Sequence, residues 1–550
     1  MPEERFDYII CGAGSAGCAL AGRLAEAGST VLLLEAGPKD RNPFIHIPVG
    51  YGVTLQSTGV NWQFETEPDA GTNNRVHLWP RGKTLGGSSA INAMLYIRGH
   101  PSDYDGWAQQ GLHGWDWESV LPYFMRAQDQ ARGALPGHGV GGPLHVSDPS
   151  FDHPVSDALV EAAQQYGLPL CKDFNTGDPE GVGFYQLTIK NGRRVSAATA
   201  YLASAPQDRL SVRCGALAHH IVFDQGRAAA VRYSQGGRIR QARAQREVIV
   251  SGGAINTPQL LELSGIGDGE RLRDLGIETI AHRPGVGENL QDHFNVAISY
   301  RLKKGTPSVN AMGRGFGMAR EFVRYLSTRK GFFAISAAHV GLFVKSRPDL
   351  ACPDLQYHAL AGSLDPGKYL QNKLQFEKEP GMTIGHCVLR PQSLGSVHAR
   401  SADPADRPAI RPNYLTARED AQALLAGYHI TRAITAQPAL APFIDHETQP
   451  GPEVVEEDAL LAHARDKGGT IYHPVGTARM GRSDDLHAVV DDHLRVIGVE
   501  GLRVVDASVM PKLVSGNTNA PAIMIGEKAA DMILGRTPPP PVTLKGAQAA

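Results

Sequence analysis

Glycines at a fixed spacing near the start of the chain predict a site that binds phosphate groups. Gly12, Gly14 and Gly17 stand in the run Gly-Ala-Gly-Ser-Ala-Gly, which Ser15 and Ala16 complete. In this pattern the first glycine permits a tight turn, the second lets the backbone approach a pyrophosphate, and the third lets a helix pack on the strand. A helix that starts here would offer unpaired N–H groups and its positive dipole end to the phosphates.

The elements needed to position this turn occur in order along the sequence. Residues 6–11 read as a short buried strand, the alanine-rich residues 18–27 as a helix, and residues 30–35 as a second strand. The second strand ends at Glu35, where a carboxylate would accept hydrogen bonds from the hydroxyls of an adenosine ribose. The sequence therefore predicts a βαβ unit that binds a dinucleotide. The motif alone does not distinguish NAD from FAD.

Two further glycine-rich regions follow. Residues 82–92 combine glycines with apolar side chains, a composition that brings backbone N–H groups against an anion or an aromatic ring. Residues 248–267 read as a buried strand, a tight turn and an apolar helix. The Gly-x-Gly runs at 265–267 and 285–287 lack the third glycine and a following strand that ends in an acid. A second nucleotide site for NAD(P)H is therefore not supported.

Taken together, these segments resemble the glucose–methanol–choline (GMC) oxidoreductases. Residues 82–92 are similar to the first signature of that family and residues 253–267 to the second, and the resemblance extends from Asp7 to Leu534. Further motifs follow in the family's order. They are Pro391-Gln-Ser-Leu-Gly-Ser-Val, Tyr472-His473-Pro474-Val-Gly-Thr, Gly501-Leu-Arg-Val-Val-Asp506-Ala507-Ser508 and Gly516-Asn517-Thr518-Asn-Ala-Pro521.

The resemblance implies FAD, rather than NAD, as the cofactor. By position, the first glycine turn and Glu35 would hold the ADP half, and Ala218 would present its backbone to the adenine. Asp506, Ala507 and Thr518 would close over the ribityl chain and the pyrimidine side of the ring. The residues expected to line the flavin and its diphosphate are Leu85, Asn92, Ala93, Met94 and Leu95.

Within the resemblance, His473 and Asn517 occupy the positions of the catalytic residues. Oxidation of an alcohol removes a hydroxyl proton and a carbon-bound hydride, and the flavin N5 would accept the hydride. Histidine suits the proton because its pKa lies near neutral pH. We therefore predict His473 as the base and Asn517 as the hydrogen-bond donor to the developing alkoxide. His293, in the family-like run Asn-Leu-Gln-Asp-His, is interpreted as structural.

Three details of the resemblance refine the predicted enzyme. Ile91 stands where some members carry the histidine that attaches FAD, so we predict non-covalent FAD. His339 stands where choline-type members carry a carboxylate, so a neutral primary alcohol is expected rather than choline. Residues 472–481 are similar to bacterial choline and alkanol dehydrogenases, which favours a quinone or another non-oxygen electron acceptor. An oxidase that releases hydrogen peroxide and a flavin-dependent lyase stay as alternatives.

The predicted fold is α/β, with two domains that are each interrupted along the chain. One is a Rossmann-like FAD-binding domain with a parallel sheet, and the other is an α+β substrate domain with an antiparallel sheet. The alternating residues 396–400 are assigned to that antiparallel sheet. The FAD-binding segments are 1–155, 195–300 and 465–540, the substrate segments are 156–194 and 301–464, and residues 541–550 are a loose tail.

Composition excludes several other classes of protein. The 550 residues include 54 Lys+Arg and 56 Asp+Glu, so no global field attracts nucleic acid. No apolar stretch is long enough to span a membrane and no signal peptide is evident, so the expected location is cytoplasmic, with association at the inner membrane face left open. The six cysteines are scattered without metal-ligand spacing, so we expect reduced thiols and no metal site.

Overall fold

A computed structural model describes residues 4–364 and 375–544 of the chain. Within these residues two seven-stranded sheets dominate the fold, and a separate apolar core packs against each. One sheet is mainly parallel and the other is antiparallel, as the α/β prediction requires.

The mainly parallel sheet contains the predicted βαβ unit. Glu4–Cys11 pairs in parallel with Val31–Glu35 on one side and with Arg238–Val250 on the other. The last four residues of Glu4–Cys11 and all of Val31–Glu35 are buried, as expected of parallel strands covered on both faces. The sheet is completed by Leu210–Cys214, Ala216–Asp224, Arg227–Gln235 and Leu502–Val504.

Helices approach this sheet and one another closely because small residues lie at their contacts. Ser15–Glu26 packs against Asn519–Leu534, where a Cβ on Gly526 would lie 2.6 Å from the carbonyl oxygen of Ala16. Trp117–Ala127 packs on the other side of the same C-terminal helix. The strand–turn–helix predicted at residues 248–267 is also present, with the helix at Gly253–Leu263.

Residues of the antiparallel sheet and residues of the parallel sheet line the same cavity. Side chains of Phe294–Leu302 alternate between buried and half-buried positions, as a strand with one covered face requires. Helices Pro154–Tyr166 and Arg418–Thr435 contact each other and strands of this sheet. In spatial order the strands are Ile444–Gln449, Phe294–Leu302, Gly381–Val388, Leu355–Leu360, Val340–Val344 and Gly181–Phe184, with Gly469–Thr470 paired to Phe294–Leu302.

Smaller elements connect these layers. In the part of the chain that the structure describes, the other α-helices are Pro43–His46, Tyr51–Thr54, Pro101–Ala108, Ala197–Tyr201, Gly269–Asp274, Val309–Met312, Gly315–Thr328 and Glu457–Lys467. The two-stranded pairs are Phe64–Glu65 with Leu78–Trp79, Gln128–Gln130 with Leu144–Val146, Ile189–Lys190 with Arg193–Arg194, Ile266–Gly267 with Ala281–His282, and Ser396–His398 with Ala409–Arg411. Among the described residues, no helix has the length and apolar character needed to cross a bilayer.

Residues 396–400 contain an antiparallel strand, as predicted, but this strand is not part of the large antiparallel sheet. Ser396–His398 instead pairs with Ala409–Arg411 in a separate two-stranded sheet. His398 is buried there between Glu262 and Glu288, at 2.8 and 3.0 Å from their carboxylate oxygens. The alternation of polar and apolar residues therefore reflects packing against the helix that contains Glu262.

Two predicted segment limits differ from the strands and contacts that the structure shows. Phe294–Leu302 belongs to the antiparallel sheet, although the predicted FAD-binding segment ends at residue 300. The predicted loose tail is bound at its start, because the Val542 N–H donates to the Glu118 carbonyl at 3.0 Å and the Thr543 hydroxyl to its carboxylate at 2.7 Å. Residues 545–550 of that tail lie outside the described residues. The two-domain division itself stays a prediction.

Candidate active site

A cavity of about 510 Å³ is lined by residues of both large sheets. Its volume lies in the range of small-molecule and cofactor sites. The predicted site residues that line it are Gly12, Gly14, Ser15, Ala16, Glu35, Asn92, Ala93, Met94, Leu95, Ala218, His473, Asp506, Ala507, Asn517 and Thr518. The structure therefore brings together segments from the beginning, middle and end of the chain.

Two predicted cofactor residues, Gly17 and Leu85, lie outside this lining. A Cβ on Gly17 would lie 2.0 Å from the carbonyl oxygen of Gly12, so this glycine permits close packing of the turn rather than contact with the cavity. Leu85 packs against the core of the parallel sheet, and its N–H donates to the Pro38 carbonyl at 3.1 Å. A direct cofactor contact by Gly17 or by the Leu85 side chain is not supported.

The glycine turn forms a cradle whose open side is the cavity. Gly12 has a φ of +114°, and a Cβ there would lie 2.2 Å from the Ser251 carbonyl oxygen, so only glycine fits. A Cβ on Gly14 would meet nothing within 4 Å. Gly14 also caps helix Ser15–Glu26 without a side-chain hydrogen bond, which leaves the first N–H groups of the helix for a ligand. These features fit the diphosphate of FAD.

Glu35 is buried at the end of its strand, and backbone groups hold both of its carboxylate oxygens. Oε2 accepts a hydrogen bond from the Ala13 N–H at 3.1 Å, and Oε1 accepts one from the Gly37 N–H at 2.8 Å. Burial raises the pKa of Glu35 to about 7, while the two N–H groups favour the ionised form. Because each oxygen keeps a second lone pair, this carboxylate fits the ribose hydroxyls of the ADP half.

Two consecutive strands form the segment around Ala218. Leu210–Cys214 ends at Gly215, whose φ is +64°, and Ala216–Asp224 continues with a different partner. Ala218 lies in the second of these strands and lines the cavity. Its placement is compatible with the predicted backbone contact to adenine.

Asp506 joins the turn at Gly253 to its own segment at the cavity wall. Its Oδ2 accepts hydrogen bonds from the Gly253 N–H at 2.9 Å and the Thr257 hydroxyl at 2.6 Å, and its Oδ1 accepts one from the Ser508 N–H at 2.8 Å. Burial raises the pKa of Asp506, and these three donors act in the opposite direction. The carboxylate thereby positions Ala507 beside the turn at Gly253.

An antiparallel ladder carries His473 to its place in the cavity. Phe294 pairs with Thr470 in that ladder, and Ile471 donates its N–H to the His293 carbonyl at 3.1 Å. This register brings the residues around His293 beside those around His473, although 180 residues separate the two histidines. The His473 N–H then donates to Asp292 Oδ1 at 2.7 Å, which fixes the backbone of the candidate base.

The predicted catalytic residues are in contact. Asn517 Nδ2 lies 3.1 Å from His473 Nε2, and 44 residues separate them in the sequence. Gln356 fixes the orientation of Asn517, because its Nε2 donates to Asn517 Oδ1 at 3.1 Å. The Asn517 amide nitrogen, a donor, is therefore the atom that points at the imidazole.

The partners of His293 define the tautomer of His473. His293 Nε2 lies 3.1 Å from the Leu389 carbonyl oxygen, an acceptor, so this nitrogen carries the proton. His293 Nδ1 is then an acceptor for His473 Nδ1–H at 2.9 Å. The proton of His473 consequently sits on Nδ1, and Nε2 presents a lone pair beside Asn517. His293, which the sequence suggested was structural only, thus contacts the candidate base directly.

The electrostatic surroundings keep His473 neutral. Burial holds the pKa of His473 well below its usual value of 6.5, and the positive charge of Arg81 acts in the same direction. Burial also lowers the pKa of His293 to about 3. A neutral imidazole at physiological pH is the form that can accept a proton.

Polar side chains of the antiparallel sheet line another part of the cavity. Asn295, His358 and Thr383 lie there around Gly385, which leaves a depression in the sheet. Asn295 Oδ1 and His358 Nδ1 are buried and have no hydrogen-bond partner among the described residues. Burial lowers the pKa of His358 to about 4, so its ring is neutral. Such unpaired buried atoms are costly unless a ligand satisfies them.

The expectation that His339 occupies the substrate pocket is wrong. His339 Nδ1 lies 2.9 Å from the Ser156 hydroxyl and the residue does not line the cavity, whereas Ala337 and Ala338 do. The chain direction at this point turns the His339 side chain toward helix Pro154–Tyr166. The substrate class must therefore be argued from other residues.

Sequence reasoning missed three residues that the structure places at the candidate site. His293 had a signal, since its segment resembles the family, but its contact with His473 depends on a long-range ladder. Asn295 and Gln356 lie on strands without a local motif, and only the strand register brings Asn295 to the cavity and Gln356 to Asn517. No spacing pattern in the sequence indicates these contacts.

Comparisons with known proteins agree with this geometry. Models of the GMC oxidoreductase family match residues 6–295 and 391–526. The mitochondrial choline dehydrogenase of Homo sapiens is 42% identical over 544 residues, covering 97% of this chain and 90% of that protein. The alcohol dehydrogenase [acceptor] of Pseudomonas putida is 43% identical over 543 residues, covering 96% of each chain.

Solved structures with the same fold include two enzymes named as oxidases. The pyridoxine 4-oxidase of Mesorbium loti aligns with a TM-score of 0.86 and 29% identity, covering 97% of this chain and 100% of that chain. A formate oxidase aligns with a TM-score of 0.90 and 27% identity, covering 97% of this chain and 99% of that chain. The predicted fold class and the predicted cofactor, FAD, are thereby confirmed. The chain belongs to the GMC oxidoreductase family and is an FAD-dependent enzyme of the class that oxidises CH–OH groups.

Proposed function

We propose that this enzyme oxidises a neutral primary alcohol to the aldehyde, with His473 as the base, and passes the electrons to a quinone or another non-oxygen acceptor. The observation that carries the proposal is the buried His473 whose Nε2 lone pair faces the cavity beside the Asn517 amide. FAD, when bound, supplies the acceptor for the hydride that leaves the alcohol carbon.

The residues suited to hold FAD are those of the cavity wall described above. The glycine turn and the first N–H groups of helix Ser15–Glu26 suit the diphosphate, and Glu35 suits the adenosine ribose. Ile91 is buried in the wall and offers only hydrocarbon. We therefore expect the cofactor to be held without a covalent bond at this position.

The tautomer of His473 determines which of its atoms accepts the proton of the alcohol. Its Nε2 accepts the hydroxyl proton of the alcohol, and the imidazolium that forms keeps its Nδ1–H directed at His293. The Asn517 Nδ2–H group donates a hydrogen bond to the developing alkoxide, which stabilises charge where it appears. His473 and Asn517 are both fixed by other residues before the substrate arrives, so little reorganisation is needed.

A neutral substrate is favoured by the charges around the cavity. The acidic residues among the described cavity lining are Glu35 and Asp506, and both carboxylates already accept backbone hydrogen bonds. Trp62 also lines the cavity, but the ammonium of Lys83 lies 4.3 Å from the centre of its ring. A quaternary ammonium would therefore find no free carboxylate there, and the ring of Trp62 already holds a cation. Choline is the competing substrate, because several relatives are named choline dehydrogenases.

An anaerobic substrate screen tests the proposal. The holoenzyme is mixed with primary aliphatic alcohols, aromatic alcohols, secondary alcohols and choline, and loss of the FAD absorbance is followed. We expect primary alcohols to bleach the cofactor faster than choline does, and His473→Gln to slow bleaching by at least about 10²-fold. Faster bleaching by choline would overturn the substrate class, and an unchanged rate in the variant would overturn the role of His473.

The electron acceptor is tested on the same preparation. The relative named alcohol dehydrogenase [acceptor] supports a non-oxygen acceptor, whereas the relatives named oxygen-dependent choline dehydrogenase and the solved structures named as oxidases keep oxygen as the alternative. Turnover is measured with a water-soluble quinone and with oxygen alone, and hydrogen peroxide is assayed in both. We expect the quinone to support faster turnover, and equal or faster turnover on oxygen would identify an oxidase. A lyase would convert its substrate without any bleaching.

A further inference from the structure

Helix Gly315–Thr328 exposes a continuous apolar stripe to solvent. Phe316, Val323 and Leu326 are 85%, 65% and 55% exposed. Together with Ala319 they follow the i, i+3, i+7, i+10 spacing of one helix face. A soluble helix normally turns such a stripe toward the core, so this stripe requires an explanation.

The helix is attached to the protein through a different face. Glu321 and Tyr325, four residues apart, are buried. The Tyr325 hydroxyl donates to the Gly192 carbonyl at 2.9 Å, and the Phe332 N–H donates to Glu321 Oε2 at 3.2 Å. The apolar stripe is therefore not needed to hold the helix in place, and the described residues leave it uncovered.

Cationic side chains lie along one edge of the stripe and at the two ends of the helix. In residues 314–330 they are Arg314, Arg320, Arg324, Arg329 and Lys330. The one acid in this segment is Glu321, which is buried and lies 3.6 Å from the guanidinium groups of Arg320 and Arg324. An apolar helix face edged by arginines, without exposed acids, complements the hydrocarbon boundary and phosphates of an anionic bilayer.

The same charges argue against a second copy of the chain as the occupant. A symmetric dimer would place this surface against itself, because an isologous interface uses the same patch on both subunits. Arg320 and Arg324 of the two copies would then approach one another, which costs energy unless acids intervene. Residues 314–330 offer no exposed acid for that purpose.

The helix also lies next to the wall of the active-site cavity. The rings of Phe322 and Tyr325 contact Phe333, with centroids 5.4 and 5.8 Å apart. A few residues later, Ala337 and Ala338 line the cavity. A surface that binds this helix would therefore lie close to the cavity.

We propose that helix Gly315–Thr328 docks this enzyme on an anionic phospholipid bilayer. Phe316, Val323 and Leu326 enter the boundary between headgroups and acyl chains, and Arg320 and Arg324 pair with lipid phosphates. The helix lies in the plane of the surface and does not span it. This inference does not depend on which alcohol or acceptor the enzyme uses, because it concerns binding alone.

Vesicle binding by the holoenzyme tests the proposal. The protein is sedimented with large vesicles of phosphatidylcholine alone and of equal parts phosphatidylcholine and phosphatidylglycerol at low salt. We expect binding to the anionic vesicles, weakened at least about tenfold in the variant Phe316→Ser/Val323→Ser/Leu326→Ser. The matched control is Val140→Ser/Ile239→Ser/Leu486→Ser, which removes three apolar side chains that are each more than half exposed elsewhere and should bind like the wild type.

A second variant tests the contribution of the arginines to vesicle binding. Arg320→Gln/Arg324→Gln should weaken binding to anionic vesicles by about fivefold per arginine, and added salt should weaken the wild type. Melting temperature and alcohol oxidation in solution verify that every variant is folded. Absence of wild-type binding to either vesicle, or an equal loss in the control variant, would overturn the proposal. So would a wild-type dimer in solution that the serine variant converts to a monomer.

Discussion

Replacement of His293 by leucine separates a role in orienting the base from a role in packing. Leucine has a similar size but no hydrogen-bonding atom, so His473 Nδ1–H would lose the acceptor that now lies 2.9 Å away. The Leu389 carbonyl would lose its donor as well. The proton of His473 could then move to Nε2, where it would block the lone pair that the reaction requires.

The expected magnitude follows from the cost of an unpaired buried donor. That cost is about 1–3 kcal/mol, which corresponds to a loss of about fivefold to about 150-fold in the rate of alcohol oxidation. His293→Gln can present a carbonyl oxygen to His473 and an amide N–H to Leu389, so it should stay within about fivefold of the wild type. Because His293→Gln keeps an acceptor for His473 and a donor for Leu389, we expect it to retain most of the wild-type rate.

The assay is anaerobic stopped-flow mixing of each holoenzyme with saturating alcohol, with FAD content and melting temperature measured in parallel. His386→Leu is the matched control, because His386 is also buried on the same sheet and also bonds a backbone carbonyl, that of Leu424, at 2.9 Å. Its substitution should lower the melting temperature and leave the rate constant unchanged. The orienting role is refuted if His293→Leu reacts at the wild-type rate, or if His293→Gln is as slow as His293→Leu.

The pH profile supplies a second readout that packing alone would not change. The neutral His293 accepts the His473 Nδ1–H, and this hydrogen bond becomes stronger when His473 is protonated. A base acts while it is neutral, so the rate falls as the pH drops through its pKa, and in the wild type this should occur only well below pH 6.5. Loss of this acceptor should lower the pKa of His473 further and move the acid limb to lower pH. An unmoved limb would contradict the electrostatic part of the argument.

Four further outcomes are expected. Asn517→Ala should slow anaerobic alcohol oxidation by about 10²-fold in stopped flow, as loss of one preorganised donor does, and an unchanged rate would exclude its role. Gly14→Ala should weaken FAD binding in a titration of apoprotein without lowering its melting temperature, because the new Cβ enters the cavity, whereas Gly12→Ala should lower the melting temperature. Acid precipitation should release FAD into the supernatant, and a yellow pellet would show covalent attachment despite Ile91. His398 is buried, which opposes its protonation, but hydrogen bonds to two glutamates raise its pKa overall. Its stabilising effect should therefore be complete below the unfolded pKa of about 6.5 and be lost as the pH rises through the folded pKa, so the melting temperature of His398→Gln should vary less over that window.

The parts of the site that follow one another in sequence could be predicted. The turn at Gly12 and the acid at Glu35 belong to one βαβ unit of local contacts, and the spacing of its glycines has a steric cause that the structure shows at Gly12. His473 and Asn517 were assigned through motifs in the C-terminal region, and they lie in contact. Their catalytic roles remain predictions.

The rest depends on strand register, which local patterns do not fix. A shift of one residue reverses which side chains of a strand face the cavity. His339 shows the consequence, because its neighbour Ala338 lines the cavity while His339 itself contacts Ser156. Residues 396–400 show another, since their alternation indicated a half-buried strand correctly but not which sheet it joins.

The segment that carries His473 joins the two parts of the cavity. Before the histidine, Gly469–Thr470 pairs with the antiparallel sheet. After it, Gly476 donates its N–H to the Ala507 carbonyl at 3.3 Å, and Ala478 donates to the Ser508 carbonyl at 2.9 Å. The candidate base is therefore anchored on one side to the sheet that carries the substrate wall and on the other to the segment predicted to contact FAD. Because both anchors are backbone hydrogen bonds, we expect the position of His473 between substrate and cofactor to be set by folding rather than by the arrival of the alcohol.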